Sequence, residues 1–277
     1  DNNSRIQEWS LHMLDSWGDG WNGASLDLHI NGVLVIDNAT VVTGYEETVY
    51  FEVEEGDVID TYWTSGSYDS ECSFGIYDAT GALVTDSETA GTFELSLTVI
   101  PTPLLALAAV LDLTVPEGGS SGKAIIVQAI DDIPDLSKYG LGVANNGGGT
   151  DDQEFTFPQV TMSGGEILWI VRDEAAYENY FGSDIWSSIN WTNGTSDISQ
   201  NGDDAIELFF YSEVIDIFGD IDTDGTGQIW EYQDAWAVRD AQYRFPTTTF
   251  NVTEWEISEP NCSDGSTTNA DATCPFP

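Results

Sequence analysis

The stretch Leu26-Asp27-Leu28-His29-Ile30-Asn31-Gly32-Val33-Leu34-Val35-Ile36 alternates apolar and polar residues, turns at Asn-Gly, and returns as an apolar run. Alternation with period two puts one face of a strand in a core and the other in water, and Asn-Gly accepts the positive φ of a two-residue turn, so the segment predicts a β-hairpin. The neighbouring sequence repeats the theme. Thr48-Val49-Tyr50-Phe51-Glu52-Val53 is followed by the turn Glu54-Glu55-Gly56-Asp57, then by a strand over 58–63. Ser73-Phe74-Gly75-Ile76-Tyr77 runs into Asp78-Ala79-Thr80-Gly81, and residues 93–100 close the series. Short strands at this spacing predict an antiparallel sandwich over residues 1–100.

Beyond it, Pro101-Thr102-Pro103 stiffens the chain and removes two ladder donors, which marks a linker over 101–103. A second strand-rich region follows over 104–258, with pieces near 124–130, 140–143, 154–157, 167–171, 205–210 and 214–218, and one short helix over 173–181. Residues 259–277 are polar and cysteine-bearing without apolar periodicity, and read as a tail.

Composition limits the partners. The 277 residues carry 49 Asp and Glu against 6 Lys and Arg, a formal charge of −43. Six cations cannot build the basic face that nucleic acid requires, and an anionic membrane surface is disfavoured for the same reason. No apolar run approaches the roughly 18 residues of a membrane-spanning helix, so no membrane insertion is expected. With 41% hydrophobic and 12% aromatic residues the chain is too apolar for an acidic disordered segment. The charge belongs to the surface of a folded protein and calls for screening by salt or bound cations.

Two acidic loops have the oxygen-rich spacing of a calcium site. In Asp15-Ser16-Trp17-Gly18-Asp19-Gly20-Trp21-Asn22-Gly23 three glycines let the loop curl, so Asp15, Asp19 and the Asn22 amide oxygen can converge, with Asp69 or Glu71 completing the shell. The alternative is a Gly-rich turn whose Asp side chains cap backbone amides while Trp17 and Trp21 fill the sandwich end. In 220–231, Asp220, Asp222, Asp224 and Glu231 occupy positions 1, 3, 5 and 12 of an EF-hand-like loop with Gly225 at position 6. Gly227 replaces the usual apolar residue at position 8, and the flanks read as strands, so an inter-strand turn is the competing reading.

Six sequons, at Asn2, Asn38, Asn190, Asn193, Asn251 and Asn261, predict N-linked glycans on a secreted, extracellular or cell-surface protein. The start at Asp1 without Met reads as the mature piece of a processed precursor. Cys262 and Cys274 share one short segment and are paired as a disulfide in an oxidising compartment, which leaves Cys72 as a buried thiol or an intermolecular partner.

Several motifs in the second region carry a family resemblance. They are Gly122-Lys123-Ala124-Ile125-Ile126, Asp135-Leu136-Ser137-Lys138-Tyr139-Gly140-Leu141, Asn201-Gly202-Asp203-Asp204-Ala205-Ile206-Glu207-Leu208 and Val214-Ile215-Asp216-Ile217-Phe218-Gly219. Asp224-Gly225-Thr226-Gly227 and Trp230-Glu231-Tyr232 follow, with Trp236 and Arg239 behind. On these, residues 104–258 resemble the lamin-tail domain in the form found in secreted proteins of bacteria and algae. The resemblance implies an immunoglobulin-like sandwich without a catalytic site, used for attachment or architecture. The first region resembles a small β-sandwich module with a Gly-Asp-Gly-Trp-Asn-Gly turn found in secreted multidomain proteins. Together the expectation is an all-β chain of two antiparallel, immunoglobulin-like β-sandwich domains in tandem.

Catalytic signatures are weak. His12 and His29 neighbour no Cys or Ser in a nucleophile-base arrangement, no four zinc ligands occur, and Gly147-Gly148-Gly149 reads as a hairpin turn. Tyr62, Trp63 and Tyr68 offer sugar-stacking faces, with core filling as their alternative duty. The expected function is a non-catalytic extracellular building block that self-assembles into a homopolymeric fibre or matrix through edge strands and the tail, stabilised by calcium. The rival readings are a carbohydrate- or protein-binding adhesion module and a secreted hydrolase with a carboxylate site.

Overall fold

A computed structural model describes residues 6–100, 102–115 and 120–277. Asn2 and Pro101 lie outside the described residues. The chain divides into two compact units, Asp1–Thr102 and Pro103–Pro277.

Unit 1 has eight strands, β1 (Gln7–Asp15), β2 (Ser25–Ile30), β3 (Val33–Ala39), β4 (Glu46–Val53), β5 (Val58–Thr64), β6 (Cys72–Tyr77), β7 (Leu83–Asp86) and β8 (Ser96–Thr98), with one turn of helix, α1 (Ser87–Ala90), after β7. They form two four-stranded sheets, β4-β1-β6-β7 and β3-β2-β5-β8. Trp9, Leu11, Met13, Phe51, Phe74 and Ile76 of the first sheet meet Leu26, Leu28, Ile36 and Ile59 of the second in one core. The hairpin turn has Asn31 at φ 52° and Gly32 at φ 76°, the primed geometry that suits strand twist. Only three residues of the expected strand 93–100 pair with β5. Before them Thr61 carries the contact on, its amide donating to the Leu95 carbonyl at 2.9 Å while its hydroxyl accepts from the Leu95 amide at 2.8 Å and donates to the Phe93 carbonyl at 2.9 Å.

Unit 2 holds β9 (Leu105–Asp112), β10 (Lys123–Ala129), β11 (Tyr139–Ala144), β12 (Phe155–Thr156), β13 (Ile167–Val171), β14 (Trp191–Asn193), β15 (Ala205–Phe210), β16 (Glu213–Phe218), β17 (Ala235–Arg239) and β18 (Trp255–Ile257), plus helices α2 (Glu174–Phe181) and α3 (Ser183–Trp186). A six-stranded sheet, β14-β13-β10-β9-β17-β18, faces a four-stranded sheet, β12-β11-β15-β16. Val110, Ile125, Val127 and Ile170 pack there against Leu141, Ile206, Leu208 and Phe218. The β13–β14 ladder is parallel, which corrects the expectation of purely antiparallel sheets.

The outer face of the six-stranded sheet carries a third layer. Ala108, Leu111, Ile126 and Trp169 pack beneath Tyr177, Tyr180 and Trp186 of the helices, with Cys274 and Phe276 alongside. All eight residues of β9 are consequently buried, which explains its continuous apolar sequence. Residues 259–277, expected as a tail, fold onto this face. Cys262 and Cys274 are bridged with Cα atoms 5.6 Å apart, Trp236 Nε1 donates to the Cys274 carbonyl at 2.9 Å, and the Phe276 ring lies 5.4 Å from that of Trp169. Besides Phe276 the segment docks by polar contacts, Ser263 Oγ donating to the Asp234 carbonyl at 2.7 Å and Ser266 Oγ lying 2.9 Å from the Tyr180 hydroxyl, so hydropathy gave no sign of it.

A buried ion cluster ties the sheets of unit 2 together. Arg239 Nη1 donates to both Asp216 oxygens at 3.1 Å, and Nη2 donates to Glu254 Oε2 at 2.8 Å. Asp216 also accepts from the Leu107 amide at 2.8 Å, beside the point where the β9–β10 register skips Ala108. Burial pushes the Asp216 carboxyl up to about 6, with Arg239 opposing.

Candidate metal centre

β1 ends on Asp15, whose carboxylate is buried at 3% exposure. The chain then curls around it. Asp15 Oδ2 accepts from the amides of Gly18, Asp19 (3.0 Å) and Gly20 (3.2 Å). Gly18 and Gly20 hold φ values of 81° and 90°, and a Cβ on Gly20 would lie 2.6 Å from the Val41 and Val42 carbonyl oxygens. The loop therefore closes only with glycine there. The amide-capping reading of these aspartates is correct for Asp15.

The same closure gathers charge. The register pairs Asp15 with Cys72, and the Ser16 amide donates to the Glu71 carbonyl at 2.9 Å, which sets Glu71 beside the loop. One carboxylate oxygen each from Asp15, Asp19 and Glu71 then lie within 4.8 Å of one another. Partial loss of water raises the Glu71 carboxyl above its ordinary range, and the charges of Asp19 and Asp15 raise it further. Asp15 Oδ1 is buried without a hydrogen-bond partner. A buried carboxylate oxygen without a donor is costly, and a cation relieves it. Hard carboxylate oxygens suit calcium, whose bonds of 2.3–2.6 Å separate opposed ligands by about 4.8 Å.

Asn22 engages the loop through its amino group. Its Nδ2 donates to the Gly20 carbonyl at 2.7 Å and to Asp19 Oδ1 at 3.2 Å, so it braces Asp19 with its amino group. Asp69 stays out of the cluster; the Gly66 amide donates to it at 2.7 Å and holds its carboxyl below the ordinary range. Trp21 is fully buried, and its Nε1 donates to the Leu14 carbonyl at 2.8 Å. Trp17, expected beside it in the core, is 74% exposed. Tyr45, 66% exposed, lays its ring where a Gly18 Cβ would stand.

The EF-hand-like loop does not converge. Asp220 accepts from the Asp222 amide and the Thr223 hydroxyl, Asp224 from the Thr226 amide, and Glu231 from the Gly227 amide. Among the described residues Asp220, Asp222, Asp224 and Glu231 form no common group of metal-ligand atoms. The loop is the inter-strand turn of the competing reading, and the 145–149 turn packs on it, the Gly149 amide donating to the Ile221 carbonyl.

The other expected positions are peripheral. Asn38, Asn190, Asn193, Asn251 and Asn261 are all exposed. His12 pairs with Glu46 at 3.2 Å, His29 lies edge-on to Tyr62, and burial pushes the Cys72 thiol up to about 11. Trp63 stacks on Phe93 at 4.1 Å as core filling, whereas Tyr62 and Tyr68 remain half exposed.

Sequence reasoning missed a polar cleft of about 410 Å³ beside the cluster, formed where the loop meets the β3–β4 connection and lined by Asp19, Asn22, Ser25, Asn38, Thr40 and Val42. Its residues are scattered over 24 positions of ordinary loop sequence, and only the closure of the loop brings them together. Unit 2 has a larger groove of about 720 Å³ over Ala108, Ile126, Trp169 and Val238, with Arg244 and Glu254 at its side. Glu254 is already committed to Arg239.

No family model matches this sequence, and no curated protein or solved structure is significantly similar to it.

Proposed function

We propose that the chain is a calcium-dependent, non-catalytic binding module of an extracellular adhesion protein, with Asp15, Asp19 and Glu71 as the ion's protein ligands. The carrying observation is Asp15 Oδ1, buried and unpartnered within a group of three carboxylates. Calcium supplies a double positive charge there, and the chain supplies a loop fixed by amides around Oδ2. Unit 2, lamin-tail-like in its motifs and immunoglobulin-like in class, serves as the attached scaffold. Exposed sequons and the Cys262–Cys274 bridge support a secreted location. A non-catalytic role is supported by the pairing of His12 with Glu46, of buried Asp112 with Lys123 and of Asp216 with Arg239.

Isothermal titration with calcium tests the reading. One ion per chain is expected, lost in Asp15→Asn and retained in Asp222→Asn; a wild-type chain that takes up no calcium refutes it. The self-assembling building block is the second reading, favoured by β3, an edge strand whose Val33, Leu34 and Val35 are exposed. Calcium-dependent filaments in negative-stain images would establish it.

A further inference from the structure

We infer that the cleft beside the carboxylate cluster holds one neutral sugar residue, with Asp19 shared between the sugar and the ion; this rests on the calcium-dependent reading above. The cleft's volume of about 410 Å³ falls within the small-ligand range. Its polar lining is one carboxylate, two side-chain amides and two hydroxyls, from Asp19, Asn22, Asn38, Ser25 and Thr40. Their donors are used internally, Asn22 on Gly20, Asn38 on Asp37, Ser25 on Asn38 and Thr40 on Ala24, which leaves the Asp19 carboxylate, the Asn22 side-chain carbonyl and the Thr40 hydroxyl oxygen as acceptors for sugar hydroxyls. No Lys or Arg lines the cleft, and the chain carries −43, so anionic ligands have no counter-charge there.

Exposed apolar side chains in the lining and on the same loop add to the match. Val42 is 81% exposed within the lining, and Trp17 stands exposed two residues before Asp19. A large aromatic ring held in water on a loop this tightly constrained is a stacking face for the C–H side of a pyranose. Asp19 links the two sites, since it belongs to the carboxylate group and also lines the cleft. The buried, unpartnered Asp15 Oδ1 is the independent sign that the carboxylate group takes a ligand. Asn38 is itself a sequon residue, so a glycan attached there would change the cleft's lining.

The test uses the full chain made in a host without N-glycosylation. Calcium binding is measured by calorimetry, and binding to immobilised mannose, galactose, fucose and N-acetylglucosamine, with sialylated and sulfated glycans beside them, is measured in calcium and in EGTA. Retention of neutral sugars is expected in calcium and lost in EGTA. Trp17→Ala, a change at an exposed site, is expected to weaken retention about tenfold with unchanged calcium binding. Thr40→Val is expected to weaken it similarly. Calcium uptake without retention of neutral sugars, retention indifferent to EGTA or to both variants, or retention confined to anionic glycans overturns the inference and leaves the ion site standing. Absence of calcium uptake overturns the ion reading, and this inference with it.

Discussion

At the residue scale, Gly20 shows how a loop is forced to organise a site. Its φ of 90° is one that an L side chain rarely adopts, and a Cβ would press on two backbone carbonyl oxygens that cannot swing away. Gly20→Ala should therefore cost unit 1 at least about 2 kcal/mol, with calcium affinity falling alongside thermal stability. Retention of both would show that the loop does not depend on this closure. The glycines, Asp15 and Asp19 were legible in the sequence because their spacing is chemically distinctive. Glu71 was legible only as one acidic candidate beside Asp69; what separates the two is the β1–β6 register and the capture of Asp69 by Gly66. For Asn22 composition cannot tell which end of the amide faces a neighbour, and the fold turns Nδ2 toward Asp19.

At the element scale, the alternating strands of unit 1 were legible, and so were β10, β11 and β15 although both their faces are buried, while β9 and β17 were not placed. β9 looked like a generic apolar run because both its faces are buried, one under the partner sheet and one under α2, α3 and the C-terminal segment. That segment depends on its bridge. Closing a loop of 12 residues contributes about 3 kcal/mol by chain entropy, so the double variant Cys262→Ser, Cys274→Ser should lower the melting temperature of unit 2 and red-shift emission from Trp169 and Trp236 as Phe276 detaches. An unchanged spectrum would mean that the serine hydrogen bonds hold the segment alone.

The ion cluster between the sheets makes a second prediction at this scale. The Asp216 carboxyl is raised to about 6 by burial, above its unfolded value, so its contribution to stability is full below about pH 4 and is lost as pH rises through about 6. Arg239→Met removes the cation that opposes this shift and leaves buried Asp216 and half-buried Glu254 without their partner. The expected cost is about 3–5 kcal/mol at neutral pH, shrinking on acidification because protonation relieves the unpaired carboxylate. Thermal melts across pH 4 to 8 would show it; a loss independent of pH would assign Arg239 to packing alone.

At the scale of the whole molecule, a charge of −43 spread over two units responds to salt and calcium in different ways. Salt screens exposed carboxylates everywhere, since the Debye length is about 10 Å at 0.1 M, so it should stabilise both units. Calcium at the Asp15 centre binds one folded unit and adds stability by mass action, about 2.7 kcal/mol at a hundredfold excess over the dissociation constant. Each unit has its own core, so calorimetry should resolve two transitions, of which only that of unit 1, identified by its further fall in Gly20→Ala, moves upward with calcium at constant ionic strength. Equal movement of both transitions would mean diffuse counter-ion screening and no specific centre. Composition could announce that cations matter to this chain, but only the fold shows where a buried, unpartnered oxygen, Asp15 Oδ1, coincides with a group of carboxylates, apart from the many carboxylates that water already satisfies.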